Sequence, residues 1–181
     1  MTVLFCRIGM MKRYQGRTVD DQITGGGAYI DINKTGHEIC NFLEHEGTLF
    51  GYVEPPGPST ASGKRINIDN LGASRNDPAV SGVTVVWTTL RPPFGNVIVG
   101  WYRDATVYRD FQEFSVSPPG HQRNNIPGYR ISALASQGRL LLPEERTFVV
   151  KGMGQANLWY ARSPKDAALV QRVGAYIDEH N

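Results

Sequence analysis

Five consecutive residues, His37-Glu38-Ile39-Cys40-Asn41, bring together an imidazole, a carboxylate, a thiol and an amide, the residue types of hydrolytic catalysis. A strand through them would send His37 and Glu38 to opposite faces. Cys40 stands among apolar neighbours, where burial keeps a thiol protonated and inert. No histidine among His37, His45, His121 and His180 has a partner at zinc-ligand spacing. No Gly-x-Ser-x-Gly elbow is present, and neither Asp20-Asp21 nor Glu144-Glu145 is followed by a nuclease-like Glu-x-Lys strand. Gly25-Gly26-Gly27 precedes a strand rather than a helix and lacks a following Lys-Ser/Thr, so it reads as a turn or bulge and not a phosphate loop. These residue types favour binding over catalysis and point to no cofactor and no metal.

A second group suits binding. Arg7, Lys12, Arg13 and Arg17 precede the first acidic residue, a local excess of positive charge that could hold phosphates or form a solvated face. Aromatic residues recur through the apolar runs, Tyr14, Trp87, Trp101, Tyr102 and Trp159 among them. Most must be core. A few could clamp a base taken out of a duplex, since stacking offsets part of the few kcal/mol that unstacking costs.

The elements that would position these residues are short and mostly extended. Strands are expected at residues 4–8, 28–32, 38–42, 49–53, 65–68, 83–89, 97–103, 106–108, 129–133 and 147–150, separated by glycine and proline. The clearest pair flanks the Arg91-Pro-Pro-Phe-Gly95 turn, two β-branched runs that each carry a tryptophan. Gly100, before Trp101, leaves room for something large against the sheet. Residues 19–23 suggest one helical turn, and residues 54–63 and 115–127 read as loops, the latter carrying Arg123, Asn124 and Asn125. Ser163 as N-cap, Pro164 at the first helical position and the stripe Leu169, Val173, Tyr176, Ile177 define a terminal helix over 164–179. The expected architecture is α+β, mainly β: one domain over residues 1–181, a bent β-barrel with peripheral helices on which the terminal helix docks.

The chain has 181 residues, 40% of them hydrophobic and 20% charged, enough for a core without staples. Its net charge of +2 gives no bulk signal for nucleic acid, so the local patch carries that argument. No apolar run reaches transmembrane length, and the N-terminal residues lack a signal-peptide pattern. Two cysteines outside any CxxC pair fit a reducing cytoplasm. A last helix ending near Asn181 would suit a module of a longer protein.

The order Arg7-Ile-Gly-Met-Met-Lys-Arg-Tyr14, then Val85-Val-Trp87, Phe94-Gly95 and Val97-Ile-Val-Gly-Trp-Tyr-Arg103, resembles the PUA-like superfamily, and within it the EVE and YTH-like modules. The resemblance covers the first strand and about residues 80–110. It implies a reader of a modified base in double-stranded DNA, 5-methylcytosine or 5-hydroxymethylcytosine foremost, by base flipping into an aromatic cage. Such modules occur in modification-dependent restriction proteins, so the partner would be modified DNA and the nuclease a fused or associated domain. An N6-methyladenine reader and an RNA-binding module are the alternatives. By the same resemblance Trp101 is the leading cage wall, with Met11, Tyr14, Trp87 and Tyr102 around it and Asn41 on the base edge. Lys12, Arg13, Arg17 and Arg123 would take phosphates. Met10-Met11 departs from the pattern, where a tryptophan is common, and a thioether would have to cover the base instead. Core packing is the competing role for Trp101 and Trp159, and a satisfied strand-end amide for Asn41.

Overall fold

A computed structural model describes residues 1–25, 36–57 and 63–180. The expected strand at 28–32, Gly26, Gly27 and half of the 54–63 loop lie outside them. Among the described residues, eight strands form one mixed sheet: β1 (Val3–Ile8), β2 (Glu44–His45), β3 (Thr48–Gly51), β4 (Ala79–Arg91), β5 (Gly95–Glu113), β6 (Gly128–Leu134), β7 (Gly138–Leu140) and β8 (Leu158–Trp159). The order is β2-β3-β6-β5-β4-β1-β8, with β7 on β5. β1 and β4 run parallel, Val3 opposite Thr84 through Ile8 opposite Thr89. The two tryptophan-bearing runs form the antiparallel β4–β5 pair, longer than expected because residues 97–103 and 106–108 belong to one strand. The chain also has two α-helices among the described residues, α1 (Pro119–Arg123) and α2 (Ala167–Glu179). No described helix is long and apolar enough to cross a membrane.

The continuous apolar runs of β1, β4 and β5 follow from burial on both faces, where alternation between polar and apolar residues would be costly. Leu4, Cys6, Val85, Trp87, Tyr102 and Val107 pack inside the curve of the sheet with Phe42 and Ile131. Phe5, Val86, Ile98 and Trp101 face the other way, under α2 residues Val173 and Ile177. Pro164–Asp166 is a 3-10 turn with Ser163 and Asp166 in a capping box, and α2 continues from it as expected.

The sheet is bent but does not close into a barrel, since β2 and β8 remain its two ends. Residues 38–42 are corrected too: they contain a 3-10 turn (His37–Cys40) rather than a strand and add no ladder to the sheet. The turn is tied in by Gly16 N–H to Ile39 O (2.9 Å) and Phe42 N–H to Tyr14 O (2.9 Å). Asn157 Nδ2 donates to Glu54 O (3.1 Å), spanning from the β8 side to the β3 side. Three further expectations are corrected. Residues 65–68 run into a 3-10 turn (Ile68–Leu71), residues 147–150 make only the Val97–Val149 bridge, and residues 19–23 contain turn and bridge in place of a helical turn.

Candidate nucleic-acid interface

The basic segment after β1 is held between a buried anion and a buried cation. The Asp21 carboxylate, 2% exposed, accepts the backbone N–H of Lys12 (2.6 Å) and of Arg13 (2.8 Å). The Arg146 guanidinium donates to Met11 O (2.5 Å), Lys12 O and Leu141 O (3.1 Å), and lies 5.8 Å from the Tyr14 ring centre. Two networks therefore fix the backbone of residues 11–14 and leave the Lys12 side chain in solvent. Arg13 is the exception among the expected phosphate contacts, because it pairs with Asp20 (2.8 Å) and Asp21 (3.5 Å). The hydrogen bond from Arg13 holds the Asp20 carboxyl down at about 2. A phosphate contact by Arg13 would have to break that pair.

The Arg17 backbone and α1, whose last residue is Arg123, lie far apart in sequence yet meet through Asn124. The Asn124 side chain takes the Arg17 N–H (3.0 Å) and donates to Gly120 O (2.9 Å), locking α1 to the loop. Gly16, at φ +92°, sits against Asn124, where a side chain would collide. Lys12, Arg17 and Arg123 are exposed, and none pairs with a carboxylate among the described residues.

The expected aromatic cage is not gathered. Met11, Tyr14, Asn41, Trp87 and Tyr102 lie together inside the sheet, but each is at most 2% exposed. Trp101 is on the opposite face, its ring 6.1 Å from that of Tyr176. Strand alternation is the cause: Trp101 pairs with Val86, whereas Trp87 pairs with Gly100. The space at Gly100 is filled by the protein itself, since a Cβ there would lie 2.7 Å from the Phe42 ring. Polar tips are committed as well. Tyr14 Oη donates to Gly9 O (2.7 Å) and Tyr102 Oη to Asn41 O. Asn41 uses its amide on Tyr52, accepting the N–H (2.9 Å) and donating to the carbonyl (3.0 Å), so no base edge is free to it.

Other groups stand where the sheet fails to close. Glu38, 9% exposed, accepts a long hydrogen bond from Gly9 N–H (3.5 Å), and burial pushes its carboxyl up. Its neighbour His37 meets Tyr52 edge-on (4.8 Å) and lies 6.2 Å from Phe111. Arg130 covers both rings, 5.8 Å from Tyr52 and 5.5 Å from Phe111. Phe111 and Arg130 escaped the sequence reading; the available signal was an arginine inside the apolar β6 run, a charge that must find a special environment. A cavity of about 420 Å³ lies elsewhere, at the start of β1, between Tyr160, Leu71, Val170, Asn70 and Arg162.

Hydrolytic chemistry finds no geometry in the turn. Cys40 is buried and its thiol is pushed up to about 12, while His37 faces aromatic rings and Asn41 holds backbone. No cluster of His, Cys, Asp and Glu suited to a metal occurs among the described residues.

α1 also carries an acid-sensitive group. His121 is 1% exposed between Phe50 and Phe114, with neither ring nitrogen hydrogen-bonded, and burial, with nearby His45, lowers it to about 4. An unfolded histidine takes its proton near pH 6.5, so its stabilising share is complete above about 6.5 and is lost as pH falls to about 4. Between pH 7 and 4.5, wild type should lose on the order of 2 kcal/mol more than His121→Phe in urea unfolding. Parallel losses in both proteins would remove His121 from the account.

No family model, curated protein or solved structure matches this chain.

Proposed function

We propose that this chain is a PUA-like binding module that reads a modified base in double-stranded DNA, with 5-methylcytosine or 5-hydroxymethylcytosine favoured. The observation that carries the reading is a set of exposed cations, Lys12, Arg17 and Arg123, on backbone tied down by Asp21, Arg146 and Asn124. Cations without local counter-ions, held on fixed backbone, suit phosphates whose spacing is itself fixed. In this reading the flipped base reaches the Gly9–Glu38 corner, and the Glu38 carboxylate accepts from the exocyclic amino group of cytosine. Binding is the whole activity assigned to this chain, and cleavage would belong to a fused or associated nuclease.

The test is a binding panel of matched duplexes carrying 5-methylcytosine, 5-hydroxymethylcytosine, N6-methyladenine or no modification, with an RNA control. One cytosine-modified duplex should be preferred, and Glu38→Gln should reduce its preference over the N6-methyladenine duplex while leaving salt-sensitive binding. Replacing Lys12, Arg17 and Arg123 together by glutamine should weaken binding to every duplex. The slope of log K against log salt should shrink by about 3, roughly one per phosphate contact. Equal, weak and salt-erased binding to all duplexes would overturn the reader and leave a basic patch. Preference for N6-methyladenine or for RNA would transfer the site to those ligands.

A further inference from the structure

Among the described residues, Arg130 is a buried cation without a carboxylate partner. It is 5% exposed, and neither Nε nor Nη1 has a hydrogen-bond partner. The carboxylates whose charge it feels are committed elsewhere. Glu54 accepts from Tyr52 Oη and from Lys64 Nζ (2.5 Å), and Asp110 receives Arg65 through two nitrogens (2.5 and 2.7 Å). His37, packed on the same two rings, has a buried Nδ1 that is likewise unpartnered. Buried donors left unmade are costly, and a charged one more so. A bound ion is one way in which natural chains complete such groups.

We propose that the enclosure of Arg130, His37, Tyr52 and Phe111 is a binding site for a phosphoryl anion. The unpartnered Arg130 Nε offers a phosphate oxygen one charged donor, and the unpartnered His37 Nδ1, packed on the same two rings, offers a second. Cation–π contact with Tyr52 and Phe111 fixes the plane of the guanidinium before the anion arrives. Glu54, the exposed carboxylate at its rim, occupies the anion's place electrostatically, and the incoming phosphate displaces it from Tyr52 and Lys64. Lys64 then turns to the phosphate. If the source is a nucleic-acid strand, the inference rests on the function proposed above; the site itself does not.

The experiment titrates inorganic phosphate into the full chain by calorimetry, against chloride at equal ionic strength, in wild type, Arg130→Gln and Glu54→Gln. Wild type should bind, and Arg130→Gln should lose at least tenfold in affinity, as removal of a buried charge-assisted contact does. Glu54→Gln should bind roughly tenfold more tightly, because a like charge leaves the site. Should Arg130→Gln fail to fold, Glu54→Gln decides, and unchanged or weaker binding there overturns the site. No binding by wild type or Glu54→Gln overturns it too, without touching the modified-duplex panel. Competition with a short oligothymidylate separates the sources: displacement of phosphate identifies a strand phosphodiester, and its absence identifies free phosphate.

Discussion

Arg146→Met should lower the unfolding free energy by about 3–5 kcal/mol, the range for breaking a buried, fully hydrogen-bonded charge network. The arginine is 5% exposed and serves the carbonyls of Met11, Lys12 and Leu141 from one planar group. Methionine keeps much of the stem volume but donates nothing, so three acceptors lose their partner together. Each buried polar group left unmade costs about 1–3 kcal/mol, and the Tyr14 ring loses its cation besides. Lysine should recover only part of the loss, because one ammonium cannot reproduce a fork that reaches two chain segments. Urea unfolding measures the effect. DNA binding by the folded fraction should weaken as well, since the Lys12 backbone loses one of its two anchors. A loss below about 1 kcal/mol would mean that water satisfies these carbonyls and that Arg146 does not clamp the loop.

Trp101→Ala should cost about 3–5 kcal/mol, as for other large aromatic deletions in a packed core. Trp101 is fully buried, pairs across β4–β5 with Val86, and meets Tyr176 of α2 edge-on. The cavity would open beneath α2, so amide exchange in α2 should rise first. Trp101→Phe should cost less and leave discrimination among duplexes intact. A Trp101→Phe protein of normal stability that no longer distinguished modified DNA would restore the cage role and contradict the packing. Glu38→Gln makes the opposite prediction, a change of preference with little change of fold, and the two variants together separate the core from the interface.

The β4–β5 pair, the first strand and the terminal helix were legible in the sequence for local reasons. β-branched runs around Pro92-Pro93-Phe94-Gly95 fit only paired strands, and Ser163-Pro164 followed by Val173 and Ile177 fits only a capped amphipathic helix. Residues 37–42 misled because apolar content alone does not distinguish a strand from a tight turn plugging a gap. That turn depends on Gly9, Tyr14 and Gly16, more than twenty residues upstream. The basic residues at 12–17 were visible as a cluster, and Arg123 as a loop cation. The meeting of their segments was not visible, because it hangs on one asparagine bonded across the fold.

Local pattern by itself determined that the first strand and the β4–β5 runs are extended, that the terminal segment is helical, and that a cationic loop follows the first strand. Only the tertiary structure decided which face each aromatic ring occupies. A strand sends successive side chains to opposite sides, and both sides of β4 and β5 are apolar, so sequence alone cannot rank Trp87 against Trp101. Ion pairing likewise decided which cations remain free: Arg13 is neutralised by Asp20 and Asp21, whereas Arg17 and Arg123 meet no carboxylate among the described residues. Charge and ring counts are properties of the chain, but their use depends on what the fold places opposite them.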